Sequence, residues 1–242
     1  MSIRKHIPNA ITSMNLLSGC FATIFAINGN YQAAFLFIIA AGIFDFCDGF
    51  AARLLKAYSP LGKELDSLAD MVSFGVAPAM LLFSFMQSIS AGAIVFIPLL
   101  IAVCSGLRLA KFNIDVRQSE NFIGMSTPPC AFLCGSLLYV LSVYSHIAEF
   151  FADHIYIIPV LSVILSFLLI SEIPMFSFKF KNLTWKDNAA RFIFLGVSAV
   201  LGAIVLVAGL NWSVWVLFIF ISYLIVNLGI FFFAKRAAVP TN

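Results

Sequence analysis

The chain has 242 residues, 62% of them hydrophobic and 10% charged, whereas an ordinary soluble domain is about a quarter charged. That excludes a soluble globular fold and implies an all-α polytopic membrane protein in contact with a lipid bilayer. The net charge of +3 carries no sign of nucleic-acid binding.

A helix needs about 20 mostly apolar residues to cross a bilayer. Apolar runs between breakers predict eight spans, near 10–28, 32–55, 66–88, 91–112, 129–147, 155–173, 191–209 and 213–234. Arg4, Lys5 and His6 before the first run resemble the start of a secretory signal. The run is longer than a signal core and no small-x-small cleavage site follows it, so it reads as the first span. Spans two and three are joined by a short connection and are expected to be antiparallel neighbours. The polar stretch 175–190 separates a six-helix core (1–175) from two further spans (176–242) within a single membrane domain. Trp212 and Trp215 fit an interfacial belt, and the phenylalanines of 218–233 read as lipid-facing bulk. Cys20, Cys47, Cys104, Cys130 and Cys134 lie in apolar stretches and read as small packing residues. A homodimer is left open as an assembly.

Basic residues concentrate in cytoplasmic connections, and all 14 lysines and arginines fall on one side of this map. They precede span one, follow span eight, and fill the connections between spans two and three, four and five, and six and seven. The opposite connections contain none. Both termini are therefore expected in the cytoplasm, in a cytoplasmic (inner) membrane, with the active site on the same side.

An ionisable residue inside a span costs about 2.5–3.5 kcal/mol on insertion scales and is a functional candidate by default. Asp45 and Asp48 occupy the cytoplasmic half of span two, and Asp66 and Asp70 the start of span three. Spacings of three and four place each pair on one helix face. Four carboxylates in one low-dielectric place repel one another. Oxygen ligands without His or Cys suit Mg²⁺ or Mn²⁺, and four carboxylates suffice for two ions. The ordinary alternative pairs these acids with Arg53, Lys56 and Lys63 at a helix end.

The pattern Asp45-x₂-Asp48-Gly49-x₂-Ala52-Arg53-x₈-Gly62-x₃-Asp66-x₃-Asp70 resembles, at every defined position, the signature of the CDP-alcohol phosphotransferase family. The resemblance implies a six-helix core that transfers a phosphatidyl group from a CDP-linked lipid to an alcohol and releases CMP. It implies that Asp45, Asp48 and Asp66 bind metal, and that Asp70 binds metal and also serves as general base. Gly49, Ala52 and Gly62 allow close approach of ligand or backbone, and Arg53 can reach a phosphate or hold a carboxylate. These four are the expected CDP-lipid contacts. No histidine is expected near the site, since His146 and His154 fall on the far side.

Further stretches, 65–78, 107–113, 122–125, Pro8-Asn9 and 15–19, resemble the bacterial branch that uses serine. CDP-diacylglycerol and L-serine are then the implied substrates. Glycerol 3-phosphate or inositol as acceptor, or a divalent-cation transporter in place of an enzyme, are the alternatives. Arg108 could grip the serine carboxylate by a bidentate fork or could anchor at the interface. Lys111, Asn113 and Ser73 are weaker acceptor-side candidates, and Ser73 and Gly75 suit helix packing equally well.

Overall fold

The computed structural model describes residues 6–115, 122–175 and 185–237, and these are helical almost throughout. In chain order they form α1 (Ile7–Ile27), α2 (Tyr31–Leu54), α3 (Pro60–Asp70), a π-helical turn (Met71–Val76), α4 (Ala77–Ile89) and a 3₁₀ segment (Ala93–Leu99). There follow α5 (Leu100–Ile114), β1 (Phe122–Ile123), α6 (Thr127–Val143), α7 (Ser145–Asp153), α8 (Ile157–Ile170), β2 (Pro174–Met175), α9 (Trp185–Val207) and α10 (Trp212–Ala237).

Five helices are long and apolar enough to cross a membrane: α1, α2, the continuous rod Pro60–Ile89, the rod Ala93–Ile114, and Trp212–Phe231. The pair α6 and α7 passes the same test together but is bent by 111°, while Ile157–Ile170 and Arg191–Val207 are apolar and shorter. The protein is an all-helical, polytopic membrane protein.

Two sequence expectations need correction. The fifth apolar run is not one straight span, because Tyr144 leaves the helix at φ −113°, ψ 90°. Neither Gly nor Pro marks that break. The third helix begins at Pro60, earlier than the apolar pattern suggested. Ser59 Oγ accepts the Gly62 N–H at 3.0 Å, and Pro60 follows as the first helical residue, a favoured start. Asp66 and Asp70 therefore lie in the second and third turns of α3.

The expected pairing of spans two and three is also modified. α1 packs along α2 on one side and along α3, the π-helical turn and α4 on the other, so α2 touches the third rod over only a short stretch. Small residues make this possible: Gly19, Ala22 and Ala26 of α1 are all buried. Gly19 meets Ser73 so closely that an added Cβ would fall 2.7 Å from the Ser73 Cα. Gly75 of the same turn faces Ser105 of α5, where a Cβ would come within 3.0 Å.

α6 is apolar on every side and largely buried, as a central helix must be. Cys130 and Cys134 sit in that core as free thiols, consistent with packing residues. β1 and β2 pair antiparallel, and Gly124 and Met125 donate their N–H groups to Ile173 and Leu168 carbonyls at 2.9 Å each. The bond to Leu168 satisfies an open carbonyl in the last turn of α8, and the bond to Ile173 holds the segment that follows it. Gly124 has φ +77°, and a Cβ there would meet the Ser171 carbonyl at 2.7 Å, so only glycine fits.

Candidate active site

The starts of α1, α3 and α6 and the ends of α2 and α5 meet at one end of the bundle, where they enclose two adjoining cavities. The four aspartates stand between them. Asp45, Asp48 and Asp66 each offer an oxygen within 4.8 Å of the other two. Of the four acids expected to converge, three do so within this distance, two from α2 and one from α3.

Asp48 is buried, and its Oδ2 has no hydrogen-bond partner among the described residues. A buried carboxylate oxygen without a partner is costly. Three convergent carboxylates with one oxygen bare fit a hard divalent cation, and Asp45, Asp48 and Asp66 are the residues that would hold it. Asp70 stands outside this trio. It lies beside Asp45 and accepts a hydrogen bond from Asn15 Nδ2 at 3.3 Å.

The first cavity, of about 240 Å³, is lined by Asp48, Asp66, Gly49, Ala52 and Gly62, with Asn9 and Thr12 contributed by α1. Three of the four residues expected to meet the CDP-lipid thus line one cavity. Gly62 approaches Asn9 closely, since a Cβ would lie 3.0 Å from the Asn9 Oδ1. Arg53 is exposed beside this cavity, and its Nε donates to the Gly49 carbonyl at 2.9 Å.

The second cavity, of about 440 Å³, is lined by Asp45, Asp66, Asp70, Arg108, Asn113 and Phe220, among others. Arg108 is 7% exposed, faces Asp70 and Tyr223, and sits 5.6 Å from the Phe112 ring centroid. Of the two readings left open for it, an interfacial anchor does not describe so buried a side chain. Asn113 Nδ2 donates to Ser67 Oγ at 2.9 Å, and Lys63 Nζ donates to the Asn113 carbonyl at 3.1 Å, tying α3 to α5 at the cavity mouth.

Lys111 and Ser73 are placed elsewhere. Lys111 pairs with Glu172 at 3.3 Å on an exposed surface, where such a pair contributes little. Ser73 is buried and its hydroxyl donates to the Asn15 main-chain carbonyl at 2.9 Å. It takes the packing role that the sequence had left open.

Residues 5–168 match the family described as CDP-alcohol phosphatidyltransferase. The chain belongs to that family. A relative in Bacillus subtilis (strain 168), named CDP-diacylglycerol–serine O-phosphatidyltransferase, is 42% identical over 57% of this chain and 76% of its own length. A protein of the same name in Mycobacterium bovis is 37% identical over 70% of this chain and 60% of its own length. An archaetidylserine synthase of Methanothermobacter thermautotrophicus is 33% identical over 60% of this chain and 62% of its own length.

The family signature accounts for the acids but not for the whole site. Asn9, Thr12, Asn15, Lys63 and Ser67 were not singled out as site residues from the sequence. For Asn15 a signal existed, because a polar side chain within an apolar span is itself unusual. Phe220 was expected to face lipid. Instead its ring stacks on Phe132 (centroids 5.3 Å apart, 7° between planes) and walls the second cavity. α10, outside the family-matched segment, thereby contributes to the site.

Proposed function

We propose that this protein transfers a phosphatidyl group from CDP-diacylglycerol to the hydroxyl of L-serine, releasing CMP. The observation that carries the reading is the arrangement of two cavities on either side of one carboxylate cluster, with a buried arginine on only one of them. The first cavity, with its glycines and α1 polar groups, suits the CDP moiety. The second offers Arg108 to the serine carboxylate. The names of relatives support the acceptor: two of them differ in the lipid they specify and agree on serine. Family membership replaces the cation-transporter reading with an enzymatic one.

In this reading serine enters beside Asp70 with its carboxylate on Arg108. Asp70 accepts the hydroxyl proton as the serine oxygen bonds to the lipid-side phosphorus. The bond from that phosphorus to the oxygen of the departing CMP breaks, so the phosphatidyl group moves and charge balances. Asp45, Asp48 and Asp66 would hold two Mg²⁺ or Mn²⁺ ions, with Asp70 as a looser ligand, and the metal supplies neutralisation of diphosphate charge. Gly49, Ala52, Gly62 and Arg53 would keep the diphosphate close to this cluster.

The one-sided distribution of basic residues supports eight spans with both termini and the site facing the cytoplasm, in the inner membrane. Residues 1–175 form the catalytic core in this reading, and the last two spans complete it.

The test is an acceptor panel with purified protein in detergent, CDP-diacylglycerol, and serine, glycerol 3-phosphate or inositol in turn. The expected outcome is serine-dependent CMP release that chelation abolishes and added Mg²⁺ or Mn²⁺ restores. Preference for glycerol 3-phosphate or inositol would overturn the acceptor assignment. Release indifferent to chelation would overturn the metal.

A further inference from the structure

Asn15 is completely buried in the first membrane-spanning helix, far from the signature acids in sequence, and none of the roles considered above belongs to it. Its amide reaches across to α3 and donates to Asp70 Oδ1 at 3.3 Å. Its own main-chain carbonyl accepts the Ser73 hydroxyl at 2.9 Å. The same residue is thus gripped from two points of one neighbouring segment, the last residue of α3 and the third residue of the π-helical turn.

The turn explains how both contacts are made at once. A π-helical turn carries one more residue per hydrogen-bonded loop than an α-helix, and such turns concentrate at functional sites. Here it follows Asp70 directly. Ser73 is brought onto the α1 backbone at Gly19, where no larger residue fits. With the chain pinned there, the Asp70 carboxylate lies against the Asn15 amide.

The Asn15 side chain is also energetically awkward. Its Oδ1 is buried and has no partner among the described residues. A polar group so placed costs stability that an apolar residue would not, and in a membrane span such a residue marks function. Of the four signature acids it is Asp70, the one outside the convergent trio, that takes the Asn15 hydrogen bond.

We propose that Asn15 is a positioning residue for Asp70: its amide holds Oδ1 and so sets the orientation in which the carboxylate meets the serine hydroxyl. This rests on the reading of Asp70 as general base. The donor from Asn15 restrains the rotation of the carboxylate, which stands beside Asp45 and lines the second cavity. The π-helical turn and the Gly19–Ser73 contact hold the two groups in register. Misorientation of a catalytic base by about 1 Å costs on the order of a hundredfold in rate.

The test compares Asn15→Leu, Asn15→Gln and Asp70→Asn in the full-length protein in detergent. Steady-state kinetics with CDP-diacylglycerol and serine are measured beside the shift in melting temperature on adding Mn²⁺. The expected result for Asn15→Leu is a kcat lower by about tenfold to a hundredfold, an unchanged KM for CDP-diacylglycerol, and an Mn²⁺-induced shift equal to that of the wild type. Asn15→Gln, which keeps an amide donor, should recover part of the lost kcat. Full activity in Asn15→Leu, with Asp70→Asn impaired, would overturn the positioning role and leave the base assignment standing. Full activity in Asp70→Asn would overturn the base assignment itself. Equal losses in the Leu and Gln variants with a lowered melting temperature, or loss of the Mn²⁺ shift, would assign Asn15 to packing or to the metal cluster and overturn the proposal.

Discussion

Lys63 and Asp66, three residues apart on α3, are the two residues whose side chains border both cavities. Asp66 belongs to the carboxylate trio, so Lys63 is a cation on the border that the two cavities share. Its Nζ rests on a main-chain carbonyl, that of Asn113, at 3.1 Å. A neutral carbonyl is a weak competitor for an ammonium group once a phosphate arrives.

A phosphoryl group passing between donor and acceptor spreads charge over its free oxygens, and a cation at that point is worth more in the transition state than before it. Lys63→Met is expected to lower kcat by about tenfold or more while leaving the KM for serine near its original value. Lys63→Arg should retain most of the rate. Steady-state kinetics on both variants check this, and an unchanged kcat in the methionine variant would reduce Lys63 to a surface tie between α3 and α5.

The carboxylate trio gives a second expectation. Removing one charge and one oxygen from Asp45, Asp48 or Asp66 by substitution with Asn should abolish transfer. Asp48→Asn is the most informative, because the bare Oδ2 becomes a group that no longer carries a full charge. In the wild type, Mg²⁺ or Mn²⁺ should raise the melting temperature, since a ligand that binds only the folded state stabilises it. In Asp48→Asn that shift should vanish. Turnover near normal at saturating Mg²⁺ would count against the trio as the metal site.

Much of this site was legible because its acids are written in helix periodicity. Asp45 with Asp48 and Asp66 with Asp70 repeat at three and four residues, and a rigid helix turns such spacing directly into a shared face. The contribution of α1 was not legible in the same way. Asn15 meets Asp70 across 55 positions in sequence, and that meeting depends on Gly19 admitting Ser73 and on a π-helical turn that lies inside an otherwise continuous apolar rod. The break at Tyr144 was hidden for a different reason, because neither Gly nor Pro stands near it and the chain is helical again from Ser145. Lys111 shows the converse: three residues beyond Arg108 it shares a helix face with it, yet spacing does not say how far along that face a long side chain reaches, and Lys111 pairs with Glu172 on an exposed surface.

Phe220 gives a third expectation, and it concerns the part of the chain beyond the family match. The ring lies flat against Phe132 and forms part of the wall of the second cavity. Removing it enlarges that cavity without touching the acids. Discrimination between substrates that differ by one methylene is worth about 10- to 200-fold where a wall is well fitted. Phe220→Ala should therefore narrow the preference for serine over homoserine by about tenfold, with the Mn²⁺-induced melting shift unchanged. An unaltered ratio of the two kcat/KM values would show that the last span is not a specificity wall.

Arg108 gives the last expectation, and the chemistry of serine makes it sharp. The guanidinium is buried in the second cavity beside Asp70, over the Phe112 ring. A planar fork can hold a carboxylate by two parallel hydrogen bonds, whereas an ammonium at the same place makes a single-point contact. Arg108→Lys should raise the KM for serine well before that for CDP-diacylglycerol. Ethanolamine separates the two roles open to this residue, since it is serine without the carboxylate. If Arg108 grips the carboxylate, the substitution should spare whatever slow transfer to ethanolamine the wild type supports, and the two acceptors should converge in kcat/KM. If Arg108 instead serves only to hold Asp70 or the cavity wall, transfer to both acceptors should fall together. Kinetics with the two acceptors on the same preparation decide between these outcomes without reference to absolute activity.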